Sequence, residues 1–148
     1  MSSEVFKTKL KTRIAGLYAS NARPVTGETV TISGYLQWYD PELRRWEPLE
    51  GGDLKLLIDG VEVGNTRSGY GGFFAFTHVF KEAGKYTAEV RYGGTRKYEP
   101  SDPSSIVIKV MTEEQRRKII KLLRFVVIGF ILLIAAIVSI AILLTLRE

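Results

Sequence analysis

Cysteine is absent from these 148 residues and histidine occurs once. Without cysteine there is no disulfide and no thiolate metal site, and the redox compartment cannot be read from bridges. Asparagine, glutamine and methionine occur only twice each, a scarcity that on a charged chain leans toward a heat-adapted source. Residues 1–13 (MSSEVFKTKLKTR) contain no apolar stretch that would serve as a secretory signal. From Glu113 to Arg147 there is no proline and only one glycine, Gly129, so nothing in that stretch breaks a helix.

What is present is a run without charge. Residues 125–146 hold 22 positions and no charged side chain. At about 1.5 Å per helical residue the run is roughly 33 Å long, enough to cross a hydrocarbon layer of roughly 30 Å. Thr112 followed by Gln115 reads as a capping box, so one helix of about 35 residues and about 52 Å is expected from there. Arg116, Arg117, Lys118, Lys121 and Arg124 precede the span, and only Arg147, balanced by Glu148, follows it. A late span without an export signal predicts a tail-anchored, single-pass protein of the cell membrane. The positive-inside bias then places the N-terminal domain in the cytoplasm, with an extracytoplasmic domain as the alternative.

The five cations are expected to meet anionic headgroups while Ile119, Ile120, Leu122 and Leu123 bury apolar area. Ala135 and Ser139 are spaced as small-xxx-small, with Gly129 and Ala136 seven apart, a pattern that permits packing against a second copy or a partner helix. The formal net charge is +5, but residues 1–111 carry 15 basic against 13 acidic side chains and the remainder 6 against 3. An excess gathered beside the span fits lipid headgroups better than nucleic acid. Two units are expected: 1–111 as one small domain, and 112–148 as a basic juxtamembrane segment with its helix.

Over residues 4–110 apolar positions alternate with period two, and turn residues recur at short intervals. In residues 6–14 this puts Phe6, Leu10 and Ile14 on one face and Lys7, Lys9, Lys11 and Arg13 on the other, as in a half-buried first strand whose lysines blunt an edge. Val30, Ile32, Gly34 and Leu36 share a face in the next. Residues 37–48 then hold both tryptophans around Asp40-Pro41, as a hairpin or a long connection. Leu54, Leu56 and Ile58 lead into Asp59-Gly60, the signature of a two-residue hairpin turn, and Val61 and Val63 lead out. Residues 72–80 are apolar on both alternating faces, which predicts a strand covered on both sides. Residues 86–92 and 105–110 complete about seven strands, an all-β two-sheet sandwich.

Several of these segments resemble prokaryotic Ig-like domains. Gly27 to Leu36, Leu56-Leu57-Ile58-Asp59-Gly60 with Val63-Gly64, and Gly72-Phe73-Phe74-Ala75-Phe76 are similar to their successive strands. Gly84-Lys85-Tyr86-Thr87, Val90-Arg91-Tyr92-Gly93-Gly94 and Tyr98-Glu99-Pro100-Ser101 look like their last strands and turns. The resemblance covers about residues 8–110 and implies an Ig-like sandwich, and this chain departs from such modules in having one copy and no export signal. The resemblance also implies the adhesive or spacer role common among such modules at cell surfaces.

No catalytic constellation assembles. His78 lies in the most apolar strand, where a neutral hydrogen-bonded imidazole is expected and a catalytic base would need a nucleophile and an orienting acid. Asp40, Glu42, Glu47, Glu50 and Asp53 lack the spacing and central glycine of a calcium loop. Gly69, Gly71 and Gly72 lack the Lys-Ser/Thr of a phosphate cradle and are followed by a strand. No enzyme, cofactor or metal is expected. The candidate is instead a surface, Trp38, Tyr39, Arg45 and Trp46, whose aromatic-plus-arginine composition marks interface hot spots. A cross-strand aromatic pair stabilising its own hairpin is the competing explanation. The function expected is a membrane-anchored interaction or scaffolding module. An accessory single-pass subunit of a membrane complex and a cell-surface adhesive protein are the alternatives.

Overall fold

In the computed structural model, which describes residues 8–147, the chain divides into two compact units, one ending at Met111 and one beginning at Thr112. The first is an Ig-like β-sandwich of eight strands: β1 (Thr12–Ala19), β2 (Thr29–Asp40), β3 (Arg45–Pro48), β4 (Asp53–Ile58), β5 (Val61–Arg67), β6 (Phe73–Val79), β7 (Gly84–Tyr92) and β8 (Ser104–Val110). One sheet has β2 at its centre, with β1 on one side and β6 and β3 pairing along different stretches of it. The other runs β5-β4-β7-β8, and every ladder in both sheets is antiparallel.

Alternation decides which side chains meet between the sheets. Val30, Ile32, Leu36, Phe74 and Phe76 from the first face Leu54, Leu56, Ile58, Ala88, Val90 and Ile108 from the second in one buried cluster. Each large aliphatic side chain so placed contributes about 1.5–3 kcal/mol relative to exposure. The eighth strand is β3: the excursion at residues 37–48 is a hairpin, with Tyr39 opposite Trp46 and Asp40 opposite Arg45. At the expected hairpin turn Asp59 (φ 47°) and Gly60 (φ 82°) are both left-handed, the geometry that lets a two-residue loop follow the strands' twist.

Two strands differ from the sequence reading. The first starts later and runs further, Thr12–Ala19 instead of 6–14, and Phe6 and Lys7 lie outside the described residues. Its phase also changes. Ile14 packs inward before an irregularity between Ala15 and Tyr18, and Leu17 and Ala19 do so after it. One extra residue around Gly16, left-handed at φ 62°, flips the alternation and hides residues 15–19 from a period-two reading. The second is β6. It pairs only with β2, and Phe73, Thr77 and Val79 are exposed, so it is an edge strand with one open face.

The second unit is the helix α1 (Glu113–Thr145), capped by Thr112 in a reciprocal box with Gln115 (3.1 and 3.0 Å). Glu113 and Glu114 occupy its first turn, where acids suit the positive end of the helix dipole. Its 33 residues extend about 50 Å at 1.5 Å each, long and apolar enough to cross a membrane. The hydroxyls of Ser139 and Thr145 donate to the carbonyls of Ala135 and Ile142 (2.8 Å each), which satisfies both polar groups within the helix.

Candidate functional surface

β2 carries the surface as well as the core. Between buried Ile32, Gly34 and Leu36 it turns Ser33, Tyr35, Gln37 and Tyr39 to the outer face of the first sheet. Register supplies their neighbours. Tyr35 lies between Ala15 and Phe73, Gln37 between Arg13 and Pro48, Tyr39 opposite Trp46, and Ser33 beside Tyr18. Tyr35 and Phe73 meet edge to face at 5.7 Å, and Tyr39 and Trp46 do so at 5.3 Å. Arg13 reaches across β2 to lie 4.2 Å over the Trp46 ring while its Nε donates to Gln37 Oε1 (2.8 Å). Tyr18 is 63% exposed, Tyr35 47% and Phe73 45%. The face therefore shows five aromatic rings and a fixed guanidinium to solvent, on rigid strands, in the composition that dominates interface hot spots.

The sequence-predicted quartet is divided by the pleat. Tyr39 and Trp46 belong to this face. Trp38 points the other way, packing against the core with its ring 6.1 Å from Tyr98 and its Nε1 donating to Pro48 O (3.2 Å). Arg45 shares that opposite side and is ion-paired with Glu47. Arg13 takes the place expected of Arg45. Sequence reasoning missed Arg13, Tyr18, Tyr35 and Phe73 as one surface because they come from three strands 60 residues apart, joined only by register. The signal available was the second apolar face of residues 72–80.

His78 stands in register with Val30, stacks edge on against Phe80 at 4.7 Å, and has its basicity lowered by burial. Among the described residues no three His, Cys, Asp or Glu side chains are grouped to hold a metal ion.

On the helix, Arg117 pairs with Glu113 (3.8 Å) and Lys118 with Glu114 (3.2 Å), each four residues apart. Arg116, Lys121 and Arg124 have no acidic partner among the described residues. Gly129, Ala135, Ala136 and Ser139 fall within about 120° of one another around the helix axis at 100° per residue.

No family model matches the chain. A protein of Archaeoglobus fulgidus described as uncharacterized is 36% identical over 134 residues, spanning 90% of each chain. This chain belongs to that protein's family. The alignment covers more of the sequence than the sandwich alone occupies, so the family shares at least part of the helical unit. Among solved structures it is similar to the CARDB domain of a Pyrococcus furiosus protein, crystallised with di-metal ions. That match has a TM-score of 0.55 and 8% identity over 74% of this chain and 99% of that one. A solution structure of the same domain gives 0.54 and 9%, over 71% and 98%. At such identity the likeness establishes the Ig-like fold.

Proposed function

We propose that this chain is a non-catalytic interaction module held at the cell membrane by α1, with the outer face of the first sheet as its docking surface. The observation carrying this reading is the aromatic face itself. Rings already fixed by strand pairing lose little freedom when a partner covers them, and the arginine among them is pre-oriented. Anchoring adds to weak contacts, because a module confined near a bilayer meets other membrane-bound partners at raised effective concentration. The basic turns of α1 favour an anionic leaflet, with Arg116, Lys121 and Arg124 each contributing about 1 kcal/mol. The charge bias favours a cytoplasmic domain.

The test is Tyr35→Ser with Phe73→Ser in the full chain, comparing proteins recovered with it from membranes and its unfolding midpoint. The expected outcome is loss of the co-purifying partner with stability changed by less than about 1 kcal/mol, the scale of one exposed cross-strand pair. Unchanged recovery with lowered stability would mean the rings serve only their own sheet.

A second reading, an accessory subunit of a membrane complex, is favoured by the small residues on one side of α1, which would admit a neighbouring helix. Exchanging residues 113–145 for an unrelated span separates the two readings. Association through the helix is lost, whereas association through the sandwich is kept.

A further inference from the structure

Residues 8–11 lie between two other segments of the sandwich. Leu10 N donates to Lys97 O (2.9 Å) and Leu10 O accepts from Glu99 N (2.8 Å), while Lys11 O accepts from Tyr39 N (2.9 Å). A cavity opens on each flank. One of about 480 Å³ is lined by Thr8, Lys9, Leu10, Arg96 and Lys97. The other, about 310 Å³, is lined by Thr8, Lys9, Leu10, Lys11, Tyr39 and Pro41. Thr8, Lys9 and Leu10 line both, so the two hollows adjoin across this segment as one grooved surface.

Its charge has one sign. Lys9, Lys11, Arg96 and Lys97 are all exposed, and none is ion-paired among the described residues. Elsewhere on the sandwich Arg45, Lys55, Arg67 and Arg91 each have a carboxylate partner, while Lys81, Lys85 and Lys109 are unpaired among the described residues but do not line the groove. Lys97 Nζ is held over the rings of Tyr98 (5.5 Å) and Trp38 (6.0 Å). Between the cations the lining is apolar, from Leu10, Tyr39 and Pro41.

We propose that this groove binds an acidic segment of a partner polypeptide in which carboxylates alternate with apolar side chains. Carboxylates meet Lys9, Lys11, Arg96 and Lys97, and apolar side chains fill the hollows beside Leu10, Tyr39 and Pro41. Charge complementarity of this kind steers encounter and fixes register. Nucleic acid fits less well. Tyr98 and Trp38 lie under the Lys97 ammonium and Tyr39 is engaged edge to face with Trp46, so no row of free rings is offered to successive bases, and a sugar-phosphate chain has nothing for the apolar lining. This contact adjoins the aromatic face, with which it shares Tyr39, and adds a second, charged determinant to the interaction module.

The experiment places the full chain in phosphatidylcholine nanodiscs and follows the anisotropy of a fluorescein-labelled peptide of alternating glutamate and leucine. Binding that weakens with salt is expected, as the Debye length falls below about 10 Å. Lys9→Gln/Arg96→Gln/Lys97→Gln should weaken it at least about tenfold, and Lys81→Gln/Lys85→Gln/Lys109→Gln, an equal change in net charge outside the groove, less than about twofold. Both triples replace exposed side chains, and their unfolding midpoints verify that each remains folded. A peptide of alternating glutamate and glycine should bind several-fold more weakly. Equal losses in the two triples, no binding of the glutamate-leucine peptide at low salt, or an oligothymidylate of equal charge binding as tightly would each overturn the proposal.

Discussion

Gly72 occupies a position that no side chain fits. Its φ is 77°, and a Cβ there would stand 2.3 Å from the Leu36 carbonyl oxygen, which itself accepts from Leu49 N. Because a backbone group cannot swing aside as a side chain does, Gly72→Ala should cost more than about 2 kcal/mol, with a lowered urea midpoint as the readout. Gly51→Ala, also left-handed at 73° but with nothing within 4 Å, isolates the conformational part and should cost less. His78 supplies a second test at this scale. Burial lowers its folded pKa below the ordinary 6.5, so between those two values the unfolded chain holds more protons. The contribution of His78 to stability is therefore complete above pH 6.5 and declines as pH falls through the folded value. A urea midpoint that drops between pH 7 and 5, and drops less in His78→Gln, is the expected result.

At the scale of elements, β2 organises the first sheet. Its 12 residues pair with β1, β3 and β6, so the outward positions of one strand collect aromatic neighbours from three others. β6 shows why local pattern misled. A strand apolar on both faces suggests cover on both faces, yet here the second apolar face is the exposed surface. The helix has the opposite character, since its start is written locally in Thr112 and Gln115. Thr112→Ala should cost the helix end about 1 kcal/mol, seen as roughly fivefold faster amide hydrogen exchange at residues 113–116 with the rest of α1 unchanged.

For the whole molecule, the proposed anchoring by α1 predicts a sandwich on one side of a bilayer, and the charge bias predicts the cytoplasmic side. The natural absence of cysteine makes single-cysteine labelling clean. Val61, 65% exposed beside the β4–β5 turn, is the better position for the probe than Gly60, whose left-handed backbone a side chain would strain. With Val61→Cys in one variant and a cysteine appended after Glu148 in another, a membrane-impermeant maleimide on intact cells should label only the second. Labelling of Val61→Cys alone would put the sandwich outside and return the adhesive reading suggested by the Ig-like fold.

Features set by neighbours in the chain were legible in the sequence. The apolar run, the capping box, the Asp59-Gly60 turn and the alternation of β2, β4, β7 and β8 each depend on contacts within a few residues, where periodicity and turn chemistry operate directly. Tertiary structure decided what depends on distant pairing. It placed β6 at an edge, inserted the extra residue that reverses the phase of β1, and put Trp38 and Trp46 on opposite sides of a sheet although both lie in one hairpin. It also brought Arg13, Tyr35, Tyr39, Trp46 and Phe73 onto one face. Composition lists such residues without placing them, because a one-residue shift of register exchanges the two faces of a strand, and register is fixed only when the strands pack.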